Sequence, residues 1–358
     1  MRRDDGPSGR AGDTPNEGPS DDPSDRPMMP RVAFAMQPLL LPELFPLDLM
    51  RRLAEVAGVA GGVIDAFDGP LDADILITGW GCPRIDAAVL AAAPRLRAVV
   101  HAAGSVKGHL TPAVFERGIA VSSAAAANAV PVADYTLAML VLAAKQAFAR
   151  ARAYAAAGWS GDALPGVATP GDGGGLTGAT VGVVGASRVG RLVIARLREH
   201  GAEILLTDPY VGPDEAAALG ARHVPLDELC RQAELVTVHA PELPETRHLL
   251  DGRRLALLRD GAVVVNTARG GLIDTAALVR HCASGRIGAV LDVTEPEPLP
   301  RGHPLLGLPN VLVTPHISGA RGRELRRLGE FAVAEVERFA HGRPLHGAVH
   351  PSDLPHIA

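Results

Sequence analysis

The sequence predicts an α/β chain folded as two doubly wound parallel-sheet units, and three features carry that expectation. Short apolar runs alternate with alanine-rich helical stretches from residue 31 onward, a pattern that implies parallel strands covered by helices on both faces. A strand, glycine turn and helix start follow one another in TVGVVGASRVGR, from Thr180 to Arg191. At 358 residues and 47% hydrophobic, the chain is longer than one ordinary core requires and suits two.

Taken in order, Met1 to about Pro30 is Gly, Pro, Ser, Asp and Arg with almost no apolar residues, so it is expected to be disordered. Arg31 to Met36 reads as a first strand, and Leu47 to Ala57 suits a helix. Ala73 to Thr78, Leu96 to His101 and Ile119 to Ser122 read as further strands. Val132 to Arg152 consists of helix formers without Pro or Gly, which predicts one long helix between the units. Its Leu137, Leu140, Val141 and Ala144 share a face that could meet either a second copy of the chain or the chain's own sheet. A glycine- and proline-rich surface segment after Trp159 leads into the strand at Thr180. Later strands are expected at Leu235 to His239, Ala262 to Asn266, Gly288 to Val293 and Val311 to Thr314, and a last helix, Glu324 to His341, is expected to pack back on the first unit. The expected division is a tail (1–30), an outer domain (31–127), a nucleotide domain (128–316), a returning helix (317–345) and a second tail (346–358).

The formal charge of −5 and a pI near 6.2 give no broad positive footprint, which disfavours nucleic acid and anionic membrane as partners. Cys82, Cys230 and Cys282 are widely spaced and form no zinc-like cluster, so reduced thiols, a cytoplasmic setting and no metal are expected. No apolar run approaches the ~20 residues of a membrane span, no signal-peptide core stands at the N-terminus, and no repeat is visible.

The turn after the Val181–Val184 run has the chemistry of a dinucleotide cradle. Gly185 lets the backbone turn sharply, and Gly190 lets the helix approach the strand. Backbone N–H groups at the helix start, around Ser187, Arg188 and Val189, then point along the helix dipole toward a pyrophosphate. Ser187 stands where GxGxxG has its middle glycine, and its hydroxyl can donate to a phosphate. Asp208 lies 18 residues beyond Gly190, near the spacing of the acid that binds ribose hydroxyls, which favours NAD over NADP. Arg188 could pair with Asp208 or meet a phosphate.

Ligands of doubly wound sheets bind beyond the carboxyl ends of the strands, where the sequence places Arg269, Asp292, Glu297 and His316. An arginine fork suits a carboxylate, a histidine moves a hydroxyl proton, and a carboxylate beside it holds the tautomer. Singly, Arg269 could be a surface arginine, Glu297 a loop carboxylate and His316 a turn residue.

The runs VVNTARGGLIDTAAL, GAVLDVTEPEPLP and NVLVTPHISGA, with VTVHAPELPETRHLL and NAVPVADYTLAMLVL, resemble the signature set of the D-isomer-specific 2-hydroxyacid dehydrogenases. The resemblance implies two Rossmann-like or flavodoxin-like domains with the active site in the cleft between them, NAD as cofactor, a small carboxylate substrate and a homodimer. It implies Arg269 as the carboxylate and carbonyl anchor, His316 as general acid or base and Glu297 as its partner. Asp292 would meet the nicotinamide carboxamide, Pro241 and Thr246 would flank the adenosine, and Thr267 and Ala268 would offer backbone near the nicotinamide. Hinges would lie near Asn128 and Gly319.

Gly104 and Ser105 fall where the family has a substrate-binding VG pair. Lys107, just beyond, is either a solvated loop lysine or a partner for a second anionic group on the substrate. Asp134 replaces the family's usual glutamate, and Trp80 and Tyr135 could contribute to a substrate pocket. Glu297 speaks against formate dehydrogenase, whose histidine pairs with glutamine. Phosphite dehydrogenase, with a similar triad, and a non-catalytic sensor like the C-terminal binding protein corepressors stay open as alternatives.

Overall fold

The structure, a computed structural model, describes residues 29–157 and 174–354. The N-terminal tail and the glycine- and proline-rich segment therefore lie largely outside the described residues. The first sheet consists of β1 (Arg31–Ala35), β2 (Gly58–Ile64), β3 (Ile75–Thr78), β4 (Ala98–His101) and β5 (Ala120–Ser123), with α1 (Leu41–Leu44), α2 (Leu47–Ala54), α3 (Ala87–Ala92) and α4 (Pro112–Glu116) between strands. All pairs are parallel, in the order β2-β1-β3-β4-β5. In β1, Val32 and Phe34 enter the core on one face while Ala33 and Ala35 enter the core on the other.

The chain then crosses through α5 (Ala125–Ala144) and α6 (Ala147–Ala157) to a second sheet. Its strands are β6 (Thr180–Val184), β7 (Glu203–Thr207), β8 (Arg222–His223), β9 (Leu235–Val238), β10 (Val263–Asn266), β11 (Gly288–Leu291) and β12 (Val311–Val313). They pair in parallel in the order β12-β11-β10-β9-β6-β7-β8. The helices are α7 (Arg188–Glu199), α8 (Pro213–Leu219), α9 (Leu226–Gln232), α10 (Gly252–Leu257) and α11 (Thr275–Ala283). Finally α12 (Leu325–Ala340) returns to the first sheet, burying Leu328, Ala332, Val333 and Val336 against the core that holds Phe34 and Leu53. Strand order reverses between β6 and β9, which opens the ligand crevice of a doubly wound sheet beside the glycine turn.

Four expectations need correction. The long helix starts at Ala125, runs through Pro131 and stops at Ala144; Gln146 then takes a positive φ of 51° before α6 begins. Pro131 deletes one intrahelical bond, and the helix survives because α7, β9 and β10 pack along it.

The apolar composition of α5 makes it the one helix among the described residues long and apolar enough to cross a membrane, contrary to the expectation that no run approached that length. It packs on its own sheet: Leu140 is buried in the second-sheet core, and Leu137, Val141 and Ala144 pack against that core. That face thus meets the chain's own sheet, with Leu137, Val141 and Ala144 only partly buried there.

The glycine-rich strand β2, an edge strand, was not foreseen, because glycines break the alternation that marks a strand.

Residues 346–349, expected as tail, run antiparallel beside β5. Val349 N–H donates to Val121 O at 2.9 Å, and Ser123 N–H to Gly347 O at 2.9 Å. Glu335, 1% exposed, holds this segment by accepting from His346 N–H, Gly347 N–H and the Ser122 hydroxyl. Residues 355–358 lie outside the described residues.

The three cysteines are unpaired with one another. Burial pushes the thiols up, Cys82 and Cys282 to about 12 and Cys230 to about 11, which removes them as nucleophiles at neutral pH.

Candidate active site

At the end of β6 Gly185 takes φ +99°, and a β-carbon there would stand 2.7 Å from Ala240 N. A β-carbon on Gly190 would stand 2.1 Å from Gly185 O, so the first turn of α7 lies directly on the turn that precedes it. Ser187 caps α7, its Oγ accepting from Gly190 N–H at 3.3 Å and keeping its own proton to donate. From the end of β7, Asp208 accepts from Ala186 N–H at 2.7 Å and from Tyr210 N–H at 2.8 Å. The carboxylate thus locks the glycine turn and retains acceptor capacity on both oxygens. Arg188 lines the cleft, and the ion pairs found among the described residues do not join it to Asp208. Replacing Gly190 by Ala forces backbone apart at about 1–3 kcal/mol of strain. The expected result is an NADH dissociation constant raised about tenfold or more in a fluorescence titration; unchanged affinity would contradict the cradle assignment.

Beyond β9, His239 is buried with Nε2 2.9 Å from Thr237 Oγ1, and burial pushes it down to about 3. It also borders the cleft. In the next loop the Thr246 hydroxyl donates to Pro241 O at 2.6 Å and accepts from Leu243 N–H at 2.8 Å, tying the two ends of the loop together. Beyond β10, the fully buried Asn266 shapes the following turn. Its Nδ2 donates to Arg269 O at 2.8 Å, and its Oδ1 accepts from Ala268 N–H at 3.0 Å. The Thr136 hydroxyl donates to Val132 O at 2.7 Å, so the 2.8 Å contact with Thr267 must be donated by Thr267. Nη1 of Arg269 donates to Ala268 O at 2.6 Å; burial holds the guanidinium below its usual value, with Glu242 and Glu297 opposing.

Gly270, part of the VVNTARGGLIDTAAL run, brings the acid toward this arginine. A β-carbon there would stand 2.1 Å from Thr294 O, so only glycine lets the Arg269 turn rest on the loop that leads to Glu297. Beyond β12, His316 Nδ1 lies 2.7 Å from Glu297 Oε1, with the two side chains 51% and 42% exposed. Because a carboxylate accepts, Nδ1 carries the proton and Nε2 is the free ring nitrogen. His316 holds φ +53°, a region a non-glycine residue keeps when its surroundings impose it. Asp292, 1% exposed, supplies that restraint. Its Oδ1 accepts from the Thr314 hydroxyl at 2.6 Å and Ile317 N–H at 2.8 Å, and its Oδ2 from Ser318 N–H at 2.8 Å.

A cleft of about 370 Å³ separates the two sheets. Gly104, Ser105 and Asn128 line it from one side; Ser187, Arg188, Val189, Pro241, Thr267, Ala268 and Arg269 line it from the other. His316 and Glu297 are not among its lining residues; Glu297 favours the charged form of Arg269, which does line it. Lys107 is exposed beside the Ser105 turn; partial burial and the neighbouring Arg269 lower its ammonium below the usual value. Asn128 Oδ1 accepts from Ala320 N–H at 2.9 Å, and Asp134, despite its shorter side chain, reaches Arg196 at 2.8 Å. Neither Trp80 nor Tyr135 lines the cleft, because Trp80 stands partly exposed in the loop after β3 and α5 directs Tyr135 to Thr314. Phe331 and His346 line it instead, and sequence reasoning missed both because long-range packing of α12 and of the segment after it brings them there.

Residues 137–318 match the family model described as D-isomer specific 2-hydroxyacid dehydrogenase, NAD binding domain. The chain is 37% identical to the D-3-phosphoglycerate dehydrogenase of Mycobacterium leprae over 270 residues, covering 75% of this chain and 49% of that protein. It is 32% identical to the protein of the same name from Methanocaldococcus jannaschii over 286 residues, covering 79% and 53%. The chain thus spans about half the length of the curated relatives it matches. Among solved structures, the TT0316 protein of Thermus thermophilus is 33% identical with a TM-score of 0.71, covering 89% of this chain and 99% of that one.

Proposed function

The chain belongs to the D-isomer-specific 2-hydroxyacid dehydrogenase family, and we propose that it transfers a hydride between NAD(H) and a small 2-hydroxy or 2-keto carboxylate. The observation that carries this reading is the His316–Glu297 pair, with Arg269 within reach of the glutamate's charge, at strand ends of the sheet that forms the glycine cradle.

The cradle fits a dinucleotide, because Gly185 and Gly190 let α7 start directly on the turn after β6, where Ser187, Arg188 and Val189 of its first turn line the cleft. Ser187, Arg188, Val189 and Gly190 would hold the diphosphate, and Asp208 the ribose hydroxyls. Pro241 and Thr246 would flank the adenosine, and Thr267, Ala268 and Asp292 would frame the nicotinamide. A nicotinamide cofactor supplies, when bound, the hydride donor or acceptor. Arg269 grips the substrate carboxylate with its planar fork and polarises the carbonyl. Gly104 and Ser105 face the same carboxylate from the outer domain. In reduction the doubly protonated ring of His316 gives its Nε2 proton to the carbonyl oxygen, and in oxidation the neutral ring takes the hydroxyl proton at Nε2, while Glu297 holds Nδ1–H in both states.

Two cations on facing sides of the cleft, Lys107 beside the Ser105 turn and Arg269 near enough to lower its ammonium, suit a substrate with a second anionic group. The relatives named D-3-phosphoglycerate dehydrogenase support the same reading. NADH consumption over a panel of glyoxylate, pyruvate, hydroxypyruvate, bulkier keto acids and keto acids with a second carboxylate or a phosphate tests both statements. Lys107→Ala should lower kcat/KM for the doubly anionic substrates about tenfold relative to the monoacids, about 1.4 kcal/mol. An unchanged ratio would remove Lys107 from substrate binding.

A further inference from the structure

The hydroxyl of Tyr135 stands at the end of a hydrogen-bond chain whose direction follows by elimination. Thr314 has one hydroxyl proton and donates it to Asp292 Oδ1 at 2.6 Å. The 2.8 Å contact between Tyr135 Oη and Thr314 Oγ1 is therefore donated by Tyr135. Asp292 in turn receives Ile317 N–H and Ser318 N–H on its side chain, and its backbone carbonyl receives His316 N–H at 2.9 Å.

A second tie lies on the same helix. Asn128, seven residues before Tyr135 and so two turns away on the same face, receives Ala320 N–H at 2.9 Å. Residues 314–320 are thus held to α5 at both ends, with His316 between the ties in its left-handed backbone conformation. The helix that does this also packs on α7 and β10 of one unit and on α12 of the other.

We propose that Tyr135 is a positioning residue for His316. Its hydroxyl, acting through Thr314 and Asp292, couples the helix on which the two units meet to the orientation of the acid–base imidazole. This rests on the proposed function for the role of His316, and on the distances alone for the coupling. Burial, the largest influence on the phenol, raises Tyr135 above its usual value, so the donor keeps its proton throughout the working pH range.

Tyr135→Phe, Thr314→Val, Thr314→Ser and the double Tyr135→Phe/Thr314→Val variant test the chain. Tyr135→Phe should lower kcat about fivefold, displace the pH profile of kcat and leave the NADH dissociation constant unchanged. Thr314→Ser should keep kcat within about twofold, and the double variant should be no slower than Thr314→Val alone, because the two changes break one chain. The His316 ring signals, followed by NMR against pH in the full chain, should shift in Tyr135→Phe whether or not a substrate is turned over. A wild-type chain that fails on every keto acid while Tyr135→Phe still moves those signals would count against the dehydrogenase reading and for the coupling. An active wild-type chain in which Tyr135→Phe changes neither kcat, pH profile nor ring signals overturns the coupling, as do effects of the two substitutions that add.

Discussion

Replacing His316 by alanine lowers kcat for keto acid reduction by about 10² to 10⁴, the usual contribution of a positioned general acid, and leaves NADH affinity within about twofold. The separation follows from the geometry. The cradle residues lie on the turns after β6 and β9, while His316 stands beyond β12, paired with Glu297 and carried on the loop held by Asp292. Glu297→Gln keeps the volume and removes the fixed tautomer, so its loss is smaller than that of His316→Ala. Arg269→Lys raises KM as well as lowering kcat, because a point charge replaces a fork that can bind the carboxylate in a bidentate way. Stopped-flow traces and NADH titrations on the three variants give both quantities. Wild-type kcat in His316→Ala and Arg269→Lys would show that the wrong residues are assigned.

Acid should destabilise the protein well before its carboxylates titrate. Among the described residues three histidines are buried: His101 and His239 are pushed down to about 3 and His109 to about 4, in each case chiefly by burial. His101 and His109 flank the Thr78 hydroxyl at 2.8 and 3.3 Å with their rings 4.5 Å apart, so a proton on either would meet the other. A histidine whose folded value is depressed binds its proton more readily when unfolded. Its stabilising contribution is therefore complete above the unfolded value near 6.5 and is lost as pH falls toward the folded value. At pH 5 the loss is about 2 kcal/mol for each histidine, and about 6 for the three at most. Urea unfolding at pH 7.5 and pH 5 should show this as a lower midpoint with the slope unchanged. Equal midpoints at the two pH values would mean that these rings are hydrated or already charged in the folded state.

What the sequence made legible is what short-range chemistry dictates. Gly185, Gly190 and Asp208 fall at spacings set by one strand–turn–helix unit, and Arg269, Asp292, Glu297 and His316 end apolar runs, where parallel sheets put their ligands. What it hid depends on contacts between distant segments. The break at Gln146 has no Pro or Gly to mark it, and residues 346–349 pair with β5 while Glu335, on the distant α12, accepts from His346 and Gly347. Asp292 reads as a residue for the nicotinamide, and the structure shows its oxygens engaged in holding the His316 loop, which no spacing rule announces. Gly270 reads as part of a motif, and the fold explains it as the contact that brings the Arg269 turn and the Glu297 loop together.

The most direct test of hydride transfer at this site follows the hydrogen itself. NADH carrying deuterium at the transferable ring position is incubated with the full chain and the best keto acid of the panel, and the product is analysed by mass and chirality. The account predicts deuterium on the carbinol carbon of the D-2-hydroxy acid, one per NADH consumed, and about a hundredth of that product or less with His316→Ala over the same interval. NADH that binds tightly and is never consumed, or a hydroxy acid formed without the label, would contradict it.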